Sequence, residues 1–115
     1  MTKTINIECG LKEFFDEQTK LQEALGQPLG EGEAALKECV LAAQVELVEV
    51  LNEVNWKPWK KSKKVVNKEL LVTELVDVFQ FLVNGCIAMD IKEEDLMQAY
   101  AEKLKINYQR IEENY

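Results

Sequence analysis

The sequence predicts an all-α fold: a four-helix bundle of one small domain spanning residues 1–115. Three observations predict it. Apolar residues recur at helical spacing along most of the chain. The breaks between these runs hold glycine, proline or clusters of polar residues. Residues 33–54 hold β-branched residues that could suggest a strand, but the run is far too long to be one. A chain of 115 residues buries roughly two-thirds of its unfolded surface, enough for one modest core.

Taken in order, residues 1–10 read as extended. Leu11 to Leu25 is the first predicted helix, with Leu11, Phe14, Phe15, Leu21 and Leu25 at near-helical spacing. Gly26 and Pro28 end it, and Gly30 and Gly32 keep the connection to the second helix loose. The second helix is expected from about Glu33 to Val54. It is apolar over most of its circumference, so it is central and buried on more than one side. Asn55 to Asn67 breaks the pattern with both tryptophans, Pro58 and five lysines. The third helix is expected over Lys68 to Ala88 with Asn67 as its N-cap. Asp90-Ile-Lys-Glu93 looks like a capping box for a fourth helix reaching about Glu113. So apolar a second helix in so small a chain predicts a homodimer or homotetramer packed through helix faces.

Composition narrows the function. A formal charge of −7 argues against general binding to nucleic acid or an anionic membrane. The N-terminal residues hold no apolar signal core, and no apolar run is expected to reach membrane-spanning length. Cys9, Cys39 and Cys86 are odd in number and widely spaced, which fits reduced thiols and a cytoplasmic location. With no histidine, His-based triads, zinc-finger patterns and Glu-x-x-His di-iron sites are excluded.

The chemistry concentrates in two short acidic motifs, Glu46-Leu-Val-Glu49 and Glu74-Leu-Val-Asp77. On a helix, carboxylates three residues apart share a face one turn from each other. Their neighbours four residues away are mostly apolar, and none is Lys or Arg. One such motif is ordinarily a solvated face. Two of them at apolar positions on consecutive helices are costly unless a cation meets them. Four hard oxygen ligands without His or Cys suit Mg²⁺, with Mn²⁺ able to substitute. Such a site points to phosphate chemistry, in which a carboxylate not fully used as a ligand takes a proton from water. Lys103, Asn107 and Arg110 share one face of the last helix. On spacing alone they serve equally as a solvated face or as phosphate contacts. Lys57 and Lys60, with Trp56 and Trp59, offer cations and flat aromatic surfaces to a nucleotide; packing is the commoner role of such tryptophans.

Glu-x-x-Glu, 24 intervening residues, then Glu-x-x-Asp resembles the signature of the all-α nucleoside triphosphate pyrophosphohydrolases, which include MazG-like proteins and dimeric dUTPases. Gln18-Thr-Lys-Leu-Gln22 is similar to the first-helix glutamine motif of the dimeric dUTPases. Glu46-Leu-Val-Glu49-Val-Leu-Asn52-Glu53 resembles their metal helix, and Trp56-Lys57-Pro58-Trp59 their Phe-Lys-x-Trp segment. Asp77-Val-Phe-Gln-Phe81-Leu-Val-Asn84-Gly85 resembles their third motif, and Tyr100-x-x-Lys103-x-x-x-Asn107-x-x-Arg110 their closing helix.

The resemblance implies Mg²⁺-dependent cleavage of a nucleoside triphosphate between the α and β phosphates, yielding monophosphate and pyrophosphate. It implies Glu46, Glu49, Glu74 and Asp77 as metal ligands, and Glu46 or, preferably, Glu49 as the residue that activates water. Lys103, Asn107 and Arg110 are implied as phosphate contacts. Gln18, Gln22, Trp56, Trp59 and Asn84 are implied near the nucleoside. The implied role is house-cleaning, the removal of unwanted nucleotides. The chain is more compact than most dimeric dUTPases and has Trp56 where phenylalanine is usual, so a broader deoxynucleotide preference is expected, dCTP and dUTP included. A uracil-specific dUTPase and a non-catalytic nucleotide-binding module are the alternatives.

Overall fold

Glycine and helix-cap chemistry set the limits of each element. The computed structural model describes residues 10–26 and 30–113. Among the described residues there are four α-helices and no strand: α1 (Leu11–Ala24), α2 (Gly32–Asn52), α3 (Lys68–Ala88) and α4 (Glu93–Glu112). The segment expected to be extended, apart from Gly10, lies outside the described residues, as do Cys9 and Pro28. The all-α expectation therefore holds, and the predicted limits of α3 are the observed ones.

α1 stops where Gly26 takes φ 78, and the Leu25 and Gly26 N–H groups fold back onto the carbonyls of Leu21 and Glu23. α2 starts one residue earlier and ends two residues earlier than the sequence predicts. Asn67 caps α3 as expected, its side-chain oxygen accepting from the Leu70 N–H at 3.2 Å.

The expected capping box at Asp90 and Glu93 is not formed. Asp90 is used to end α3 instead. It sits at φ 55, its N–H donates to the Ile87 carbonyl at 3.1 Å, and the Ile91 N–H donates to the Cys86 carbonyl at 2.9 Å. This is a Schellman closure with aspartate in the left-handed position usually held by glycine. The α4 cap falls later, where the Lys92 N–H donates to the Asp95 carboxylate at 2.9 Å.

α2 and α3 pack along their length, antiparallel. Gly85 near the end of α3 lies against Leu36 and Cys39 near the start of α2, while Glu74 and Asp77 lie level with Glu46. Along α2 the residues turned to this seam are Ala35, Cys39, Ala43, Glu46, Val50 and Glu53, the first three buried and the rest half-buried. Their spacing of three, four and seven residues makes one helical stripe. Small residues occupy one end of the stripe and carboxylates the other. Cys39 is buried and Cys86 half-buried, and burial pushes both thiols up, as befits packing groups.

α1 rests on α3, and α4 touches only α1 among the helices. Every described α4 side chain except the half-buried Glu93 is exposed. The chain is consequently open: its radius of gyration is 17.7 Å, against about 13 Å for a compact chain of this length. The buried core is small, comprising Phe15, Ala35, Cys39, Ala43, Val78 and Val83. The packing leaves Val45, Leu47 and Val48 of α2 exposed, and Val72, Val76 and Phe79 of α3.

Two expectations about the apolar helices are corrected. α2 is not central or buried on more than one side: among the helices it packs on α3 alone, and α3 is the one that packs on both α1 and α2. α3, 21 residues with a most apolar stretch of mean hydropathy 1.6, is long and apolar enough by composition to cross a membrane. Its apolar residues are not confined to one stripe, because α3 packs on α1 and α2 and also presents an exposed apolar side. Glu74 and Asp77, near its middle, are the residues a lipid interior disfavours most.

A side chain at Gly85 tests the seam. A Cβ there lies 3.1 Å from Leu36 Cδ1 and 3.4 Å from Cys39 Cβ. Gly85→Val is expected to lower unfolding free energy by about 2 kcal/mol in a urea titration. An unchanged midpoint would show that α2 and α3 do not meet there.

Candidate active site

The seam carries its carboxylates to one point. Glu46 from α2 and Glu74 and Asp77 from α3 each offer a carboxylate oxygen, and these oxygens all lie within 4.8 Å of one another. All three residues are half-buried. Partial removal from water weakens hydration of each charge while the charges repel. The Glu74 carboxyl is accordingly held above the usual carboxylate range, first by desolvation and then by the charges of Asp77, Glu49, Glu46 and Glu53.

Glu49 stands apart from this trio. It is exposed, one turn further along α2, and its charge still reaches Glu74. Sequence reasoning placed Glu53 in the metal-helix motif but gave it no role. It is half-buried and adds to the negative field on Glu74. The stripe Glu46, Glu49, Glu53, at intervals of three and four, was the signal that could have supplied that role.

The donor set fits a hard divalent cation. Three carboxylates converge, partly shielded from water, and among the described residues no lysine forms an ion pair with any of them. Oxygen-only ligation suits Mg²⁺ or Mn²⁺ and disfavours zinc or copper.

About two turns further along α3, a polar cluster interrupts the apolar packing. Gln18 on α1 is buried and donates through Nε2 to Oδ1 of buried Asn84 at 2.9 Å. Gln80 Nε2 donates to Gln18 Oε1 at 3.3 Å. Gln80 is a residue the sequence reasoning missed, because only the packing of α1 on α3 shows its partner. Beside this chain of amides lies a cavity of about 290 Å³, lined by Gln22 and Asn84 with Thr19, Glu23, Ile87 and Asp90. Three of the residues expected near a nucleoside, Gln18, Gln22 and Asn84, are thus brought together.

Trp56 and Trp59 are placed elsewhere, on the loop after α2. Their rings meet edge to face with centroids 5.9 Å apart, and Lys57 Nζ lies 5.4 Å from the Trp56 ring centroid. Lys57 and Lys60 line a second cavity with Trp56 and Asn52. Asn52 is thirteen residues along α2 from Cys39, roughly 20 Å of helix. The carboxylates therefore lie between the amide-lined cavity and the basic loop. Lys103, Asn107 and Arg110 are exposed on α4, and the fold does not bring that helix against α2 or α3.

A family model described as dUTPase matches residues 10–94, from the residue before α1 to the first turn of α4. The match includes both acidic motifs, the amide cluster and the basic loop. No curated protein and no solved structure gives a significant match.

The raised Glu74 fixes the sign of a stability test. An acid whose folded pKa exceeds its unfolded value costs the fold stability when ionised. The cost is full above the raised pKa and vanishes below the ordinary value of 4.5. In chelator at pH 7, Glu74→Gln is expected to melt above wild type, and the gap to close as pH falls through that window. Excess Mg²⁺ is expected to reverse the order by stabilising wild type alone. Wild-type melting that ignores Mg²⁺ would count against a metal centre.

Proposed function

This chain belongs to the all-α dUTPase-like family of nucleotide pyrophosphatases, and from that premise we propose that it is a Mg²⁺-dependent nucleoside triphosphate pyrophosphohydrolase acting on deoxynucleotides. The observation that carries this reading is the convergence of Glu46, Glu74 and Asp77 on one half-buried point of the α2–α3 seam.

In this reading Glu46, Glu74 and Asp77 would hold Mg²⁺, with Glu49 as a further ligand. When bound, the cation supplies Lewis acidity and offsets phosphate charge. Glu49, exposed at the edge of the cluster, orients the attacking water and takes its proton. Glu46 is the second candidate for that role. The oxygen of the water forms the new bond to phosphorus as the bridging α–β anhydride bond breaks, giving monophosphate and pyrophosphate.

The nucleoside is assigned to the cavity beside Gln18, Gln22 and Asn84. The Asn84 oxygen accepts from Gln18, and among the described residues no hydrogen bond is given by its amide NH₂, which this reading assigns to the ligand. A pocket built from amides reads hydrogen-bonding edges and suits a base. Trp56 and Trp59 are assigned to the phosphate end with the loop they belong to. Mn²⁺ is expected to substitute for Mg²⁺. Clearance of unwanted nucleotides in the cytoplasm is the proposed role.

The same reading calls for a homodimer or homotetramer. The helix carrying Lys103, Asn107 and Arg110 packs on α1 and not against α2 or α3, while both those helices expose apolar faces. Association would bury these faces and bring a partner's α4 to the phosphates.

Two experiments test this. With Mg²⁺ and a panel of ribo- and deoxynucleoside triphosphates, chromatography should resolve monophosphate and pyrophosphate. Glu49→Gln should lower kcat by about 10²- to 10⁴-fold without unfolding the protein. A rate on dUTP far above every other substrate would replace the broad preference with a uracil-specific one. No turnover of any nucleotide would leave a binding module. Separately, co-expression of Glu49→Gln chains with Lys103→Ala chains should restore part of the activity that each variant lacks alone. Mixed oligomers as inactive as the parents would place α4 in the site of its own chain.

A further inference from the structure

The loop between α2 and α3 is irregular yet held by specific bonds. Asn55 brackets the backbone of Lys64: its Nδ2 donates to the Lys64 carbonyl at 2.9 Å, and its Oδ1 accepts from the Lys64 N–H at 2.9 Å. Two further closures come from the lysines. Lys63 Nζ donates to the Lys57 carbonyl at 3.2 Å, and Lys64 Nζ donates to the Asn52 carbonyl. The result is a cavity of about 320 Å³, walled by Asn52, Lys57, Lys60, Ser62, Lys63 and Lys64 beside Trp56.

The electrostatics of this basin are one-sided. Among the described residues none of its lysines is paired with a carboxylate. Carbonyl acceptors fix two of the ammonium groups in place and leave their charge unneutralised. A protein of net charge −7 thus gathers four lysines around one cavity, an arrangement that repels itself until an anion enters. Asn52 in its wall comes three residues after Glu49, about 4.5 Å along α2. The basin therefore opens one turn from Glu49 and about two turns from the carboxylate trio, on the side away from the amide-lined cavity.

We propose that this loop is a preformed pyrophosphate site, holding the β and γ phosphates of the substrate and the released pyrophosphate, with Asn55 as the positioning residue that keeps the basin formed. The assignment of the anion rests on the pyrophosphohydrolase reading; the basin itself does not. A condensed phosphate offers several charged oxygens to ammonium and hydroxyl donors, and each charge-assisted bond is short and strong. A triphosphate laid along the seam then runs from base to carboxylates to lysines without reversing direction.

Both tryptophans of the chain lie in this loop, so their fluorescence reports on it directly. Inorganic pyrophosphate is titrated in chelator, without divalent metal, at fixed ionic strength. A saturable change is expected, weakening as salt is raised. Lys60→Ala/Lys63→Ala is expected to weaken pyrophosphate binding at least tenfold, about 1.4 kcal/mol. Asn55→Ala is expected to do the same, and to raise KM for the triphosphate by more than it lowers kcat. Circular dichroism checks that each variant stays helical. Equal responses to sulfate and pyrophosphate overturn the proposal, as does pyrophosphate binding indifferent to Lys60, Lys63 and Asn55. Pyrophosphate binding through these residues in a protein that turns over no nucleotide supports the basin while the enzymatic reading falls. Turnover sensitive to Glu49→Gln, with pyrophosphate binding insensitive to the loop, does the reverse.

Discussion

Repulsion among carboxylates on the α2–α3 seam is the constraint on which the rest of this molecule depends. Packing two antiparallel helices through the stripe from Ala35 to Glu53 is favourable at its small-residue end and unfavourable at its acidic end. Glu74 feels four other carboxylates and is pushed up for that reason, behind desolvation. A helix pair with hydrophobic residues at those positions would hold together more firmly. The acidic end is coherent once a divalent cation is counted as part of the seam, since one ion then meets oxygens that otherwise oppose one another.

The small-residue end gives the acidic end its precision. Ala35, Cys39 and Ala43 are buried, and Gly85 lets α3 approach Leu36 and Cys39 closely. That close approach fixes where Glu46 stands relative to Glu74 and Asp77. The buried Gln18–Asn84 bond then ties α1 to the same frame, since a buried amide left unpaired would be costly. Three features succeed one another along the seam: amides, carboxylates, lysines. In the proposed reading their order is the chemical order of a nucleoside triphosphate.

Much of this was legible in the sequence, and the failures have local causes. The acidic pairs stood out because helical periodicity places both members on one face, and apolar neighbours made that face anomalous. Asn67 and Lys68 were readable as a helix start because capping is a local interaction. Asp90 misled because one residue type serves two purposes: the sequence shows an acid before a helix, while the backbone uses it as the left-handed closure of the helix before. Gln80 and Asn55 were passed over because their partners, Gln18 and Lys64, are distant in sequence or set by loop geometry. The splayed position of α4 was not legible either. Its face of Lys103, Asn107 and Arg110 is periodic whether it meets its own chain or another.

The claim that a cation completes the α2–α3 seam is tested most directly by anomalous diffraction from crystals grown with Mn²⁺. A manganese peak bounded by Glu46, Glu74 and Asp77 is expected, and its loss in crystals of Glu74→Gln. A Mn²⁺-saturated crystal with no peak at that point, its carboxylates turned apart into solvent, would contradict the claim.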